Sequence, residues 1–77
     1  MEQHDKLLYE IAKLTREKFD LEMIDRWNVN DMIKFDMVST HLRALVSKYI
    51  DLYERRPPFD SMDDVMNVIK RMETNDN

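Results

Sequence analysis

The sequence predicts an all-α protein, an antiparallel helical hairpin followed by a short third helix, and three observations carry that expectation. Apolar residues recur at steps of three and four along most of the chain, which puts them on one face of a helix. Among 77 residues there is no Gly and only two Pro, so few turns need a positive φ. No stretch alternates apolar and polar residues long enough to make a half-buried strand.

The first helix is expected over residues 5–25. Leu7, Leu8, Ile11, Leu14, Leu21 and Ile24 follow helical spacing, with Ala12, Thr15 and Phe19 beside them. Glu10, Lys13 and Glu17 set opposite charges as neighbours on a solvated face. Lys18 interrupts the stripe, which allows a kink or break near Asp20.

Asn28 is placed to cap a long second helix over residues 29–54, with Asp31 three residues on; Trp27 and Met32 have the spacing of a hydrophobic staple. The dominant apolar stripe lies here. Phe35, Val38, Leu42, Leu45, Tyr49 and Leu52 alternate three and four, and Val46, Ile50 and Tyr53 widen the stripe on one flank. The helix stops where Pro57 disfavours helical geometry at Arg56.

Pro57 and Pro58 form a stiff link to the third helix, expected over 62–72. Ser61 is its candidate cap, Asp63 and Asp64 suit the positive end of its dipole, and Met62, Val65, Met66, Ile69 and Met72 form its stripe. Residues 73–77 have nothing to bury and are expected to fray. The whole chain, 1–77, reads as one helical domain.

A chain this short buries a modest core, and domains of this size draw on disulfides, metals or association for stability. With no Cys, disulfides and thiolate zinc sites are excluded. The arc of the long helix is wider than one antiparallel neighbour covers, so a homodimer forming a helical bundle is expected, with Phe35, Val38, Leu42, Leu45, Val46, Tyr49 and Leu52 as self-association residues. The stripe Met62, Val65, Met66, Ile69 and Met72 is the expected surface for a different protein partner, because Met makes adaptable contacts; core filling is its other reading.

No catalytic constellation emerges. His4 and His41 share no metal-ligand spacing, the serines lack a glycine-flanked nucleophile turn, and the carboxylates lie on polar helix faces or in the linker. We therefore expect no enzyme activity, no cofactor and no metal. The net charge of −4 divides as −2, +1 and −3 over residues 1–27, 28–56 and 57–77, and the absence of a basic cluster argues against nucleic acid. No apolar run reaches the ~18 residues of a membrane span, and the first residues are polar and acidic, so a cytoplasmic protein is expected.

One short string points elsewhere. Val38-Ser39-Thr40-His41-Leu42-Arg43-Ala44-Leu45 resembles the recognition helix of ArsR-type winged-helix repressors, with their V-S-x-H-L-x-x-L pattern. The resemblance implies a small DNA-binding regulator with Ser39, Thr40, His41 and Arg43 touching bases or phosphates. The match covers eight residues; residues 31–37 read as continuous helix where the family has a turn, and the wing glycine is missing. The expected function is accordingly a non-enzymatic interaction module, a regulator, inhibitor or adaptor of the kind phages and mobile elements encode, with DNA binding as the alternative.

Overall fold

The structure, a computed structural model, describes residues 3–74. Three helices, α1 (Gln3–Glu22), α2 (Val29–Tyr53) and α3 (Met62–Thr74), account for 81% of these residues, and no strand occurs among them. The expected segments 5–25, 29–54 and 62–72 each correspond to one helix. Glu73 and Thr74 belong to α3, while the rest of the tail expected to fray lies outside the described residues.

The helix at the centre is α1, not the longer α2. Its two neighbours both pack on it, and no α-carbon of α2 comes within 8 Å of one of α3. Two adjacent faces make this possible. Leu7 and Ile11 form one cluster with Leu8 and Tyr49, against which Leu42, Leu45 and Val46 of α2 are half-buried. Residues one position on point about 100° away. Ala12 accordingly meets Val65 and Ile69 of α3 in a second cluster. Phe59 of the linker and Val68 of α3 touch both clusters.

Both neighbours run antiparallel to α1. At one end of the hairpin Lys34 Nζ lies 3.6 Å from Glu17 Oε1, and at the other His4 reaches Tyr49. On α3, Tyr9 pairs with Glu73 and Arg16 with Met66, so the sequence order is reversed.

α1 runs unbroken through Lys18 and ends at Glu22. The Lys18 ammonium lies 5.8 Å from the centre of the Phe35 ring, so its stem covers the interface while its charge meets the π face. The last turn tightens, with the Met23 N–H shared between the Phe19 and Asp20 carbonyls at 3.2 Å each.

Met32, the expected staple partner of Trp27, is exposed. The Trp27 ring packs on Phe35, centroids 4.8 Å apart, and its indole N–H donates to the Leu21 carbonyl at 2.8 Å, which ties the turn back to α1. Asn28 and Asp31 form a reciprocal capping box, the Asp31 N–H donating to Asn28 Oδ1 at 2.8 Å and the Asn28 N–H to Asp31 Oδ2 at 3.2 Å.

The start of α3 differs from expectation. The Ser61 hydroxyl has no hydrogen-bond partner among the described residues; instead the Asp64 carboxylate reaches back to accept the Asp60 N–H at 3.1 Å. Asn28→Ala should therefore cost about 1 kcal/mol. Ser61→Ala should stay within about 0.5 kcal/mol of wild type. Urea midpoints of the two variants measured side by side check the contrast.

α2 closes on Glu54, whose φ of 56° and ψ of 32° are left-handed while its N–H donates to the Ile50 carbonyl at 2.8 Å. This position favours Gly, because Cβ crowds the following carbonyl at positive φ. Glu54→Gly should raise stability by about 0.5–1 kcal/mol, read as a higher thermal midpoint.

Candidate functional site

Large apolar side chains are left in solvent at the closed end of the hairpin. From the end of α1 and the turn come Phe19, Met23, Ile24 and Trp27; from the first turns of α2 come Val29, Met32, Ile33 and Met37. Each is between 38% and 71% exposed. Helical spacing sets Val29, Met32, Ile33 and Met37 on the side of α2 turned away from Val38 and Tyr49, the residues that α1 buries. The cause is local: the α2 sequence carries apolar residues around most of its circumference here, and α1 covers only one face.

The stripe expected to self-associate is largely taken up inside the chain. Val38 and Tyr49 are buried, and Phe35, Leu42, Leu45 and Val46 are half-buried on the side facing α1, while Leu52 is exposed. The stripe expected to meet a partner turns inward as well. Val65, Ile69 and Met72 are buried and Met62 is half-buried, because α3 needs that face to dock on α1; Met66 alone is exposed, with its sulfur 3.1 Å from an Arg16 guanidinium nitrogen.

The segment resembling a recognition helix lies within the unbroken α2 with no turn before it. Val38 packs toward α1, the Ser39 Oγ is enclosed without a hydrogen-bond partner, and Thr40, His41 and Arg43 are exposed. His41 lines a shallow depression with Glu10, Lys13, Glu17 and Leu45 between α1 and α2. Among the described residues no group of three or more His, Asp or Glu side chains is placed to hold a metal ion.

At the open end of the hairpin, a polar chain runs from the surface to the core. His4 Nδ1 is 3.3 Å from Asp5 Oδ1 and its Nε2 is 2.8 Å from the hydroxyl of Tyr49, whose side chain is fully buried. A carboxylate only accepts, so with Nδ1 carrying the proton toward Asp5, Nε2 of the neutral ring accepts the Tyr49 O–H. Tyr53 closes the group edge-on to the His4 ring at 4.8 Å. The His4–Tyr49 bond and the His4–Tyr53 ring contact join the start of α1 to the last turns of α2. Sequence spacing could not reveal the bond, because His4 and Tyr49 stand 45 residues apart.

No protein-family model, no curated protein and no solved structure matches the chain. No helix among the described residues is long and apolar enough to cross a membrane.

Proposed function

We propose that this chain is a non-enzymatic helical interaction module, a small cytoplasmic regulator, inhibitor or adaptor that occupies a surface on a larger protein and functions as a homodimer. The observation that carries this reading is the exposed apolar surface at the closed end of the hairpin. Eight large apolar side chains gathered at that end are between 38% and 71% exposed, and exposed apolar surface beyond scattered single residues marks protein–protein interaction sites. Three of the eight are Met, whose unbranched thioethers adapt to irregular partner surfaces.

The test is capture of a partner from the source cell on immobilised protein, compared with the doubly substituted Ile33→Glu, Met37→Glu. A partner retained by wild type and by Lys70→Glu on α3, but lost from the double variant, supports the reading. Retention by the double variant and loss from Lys70→Glu would move the binding surface to α3. Labelled duplex DNA provides the contrary case: low-salt binding that weakens steeply with added salt and is reduced by Arg43→Ala would replace this reading with the DNA-binding one.

A further inference from the structure

Along α2, Met32, Asp36, Ser39, Arg43, Val46 and Ile50 alternate steps of four and three. They make a second stripe beside the one packed on α1, turned from it by roughly a quarter of the helix circumference. Met32 and Ile50 at its ends are exposed, as are Asp36 and Arg43 in its middle, while Ser39 is half-buried with its Oγ enclosed and Val46 is half-buried against the α1 cluster. Neither Asp36 nor Arg43 makes an ion pair or hydrogen bond among the described residues. α3 is not available to cover this flank, since it docks on α1. A groove of about 410 Å³ beside the C-terminal half of the stripe lies between Val46 and Ile50 of α2, Ile11 and Thr15 of α1, and Pro57 and Phe59 of the linker.

The order of the stripe identifies its occupant. Read toward the C-terminus it runs apolar (Met32), acidic (Asp36), small (Ser39), basic (Arg43) and apolar (Val46, Ile50), so an antiparallel copy brings its base toward the acid of the first, while Val46 and Ser39 are the residues level with Asp36 and Arg43. A second α2 laid antiparallel, with the two-fold axis at the level of residue 41, sets Met32 of each copy opposite Ile50 of the other. Asp36 of one then falls three residues from level with Arg43 of the other, about 4.5 Å along the axis and within reach of the long guanidinium side chain. The two-fold axis makes this ion pair twice. Parallel pairing in register would set like charges together.

We infer that the flank Met32, Asp36, Arg43, Ile50 binds a second copy of this chain as an antiparallel α2–α2 homodimer. The inference rests on the homodimer proposed above and relocates its contact from the Phe35–Leu52 stripe, which α1 occupies, to the neighbouring flank. The remaining apolar surface around Ile33 and Met37 stays open to a different protein.

Size exclusion with light scattering at about 100 µM in low salt tests it, at a concentration suited to an interface of micromolar affinity. Wild type should give twice the chain mass of 9.4 kDa. Asp36→Arg and Arg43→Asp should each weaken the dimer about tenfold or more, because each places like charges together in a homodimer. Mixed in equal amounts, the two variants should recover the dimer mass, since one now carries two bases and the other two acids. A monomeric wild type would overturn both the homodimer and the flank. Dimeric single variants would overturn the flank alone, and weakened variants that do not recover on mixing would overturn the antiparallel register. Far-UV circular dichroism verifies folding, and Asp36→Asn with Arg43→Gln replaces any reversal variant that loses helix.

Discussion

Tyr49→Ala is expected to lower stability by about 3–5 kcal/mol, the range for removing a large buried aromatic side chain. That loss is comparable to the ~3–5 kcal/mol a core of this size supplies, so the variant should be largely unfolded at room temperature. The reason lies in position. Tyr49 is 0% exposed and is the one fully buried residue of α2, packed with Leu7, Leu8 and Ile11 of α1. Its ring also contacts Tyr53 and His4, with centroids 4.8 Å and 5.5 Å away. Tyr49→Phe separates the ring from the hydroxyl: the packing survives, the 2.8 Å bond to His4 is lost, and the cost should be about 1 kcal/mol. Urea unfolding followed by circular dichroism distinguishes the two. Near-equal losses would mean that the hydroxyl, not the ring, holds the open end of the hairpin.

Ala12→Leu should cost about 1–3 kcal/mol or more, although Leu is a good helix former and the residue replaced is among the smallest. Ala12 is 0% exposed and lies against Val65 and Ile69, where the missing side-chain volume lets α3 approach α1 closely. Three added carbons have no space to enter. α3 should therefore loosen first, with amide hydrogen exchange accelerating in 62–74 more than in α2. Equal acceleration throughout would show that the three helices unfold only as one unit.

These two residues also mark how far the fold was legible. Helix number, approximate bounds and the all-α class follow from apolar spacing, the Asn28 cap and the Pro57 stop, which are local signals. The central helix was less visible, because α2 carries the longest regular stripe and draws attention to itself. The signal was present in the adjacent pairs Leu7–Leu8 and Ile11–Ala12: neighbours in sequence point to different faces, and two buried faces require two partners. Ala12 gave little sign of its importance, since a small residue at a close helix crossing has the same spacing as any surface alanine. The Met stripe of α3 showed an amphipathic helix but not whether its apolar side meets the chain itself or a partner. Only the docking of α3 on α1 places Val65, Ile69 and Met72 inside.

α2 buries one face on α1 while large apolar side chains on its opposite face stay exposed, and the methionines report this most directly. In protein labelled at the Met methyl groups, signal broadening by a soluble paramagnetic agent measures the exposure of each. At about 10 µM, below the concentrations that favour a micromolar-range dimer, Met23, Met32 and Met37, at 68%, 57% and 66% exposure, should broaden strongly, and Met72, at 7%, should be protected. Protected Met32 and Met37 with a broadened Met72 would mean that α3 holds the free surface and α2 the core, and would contradict the account.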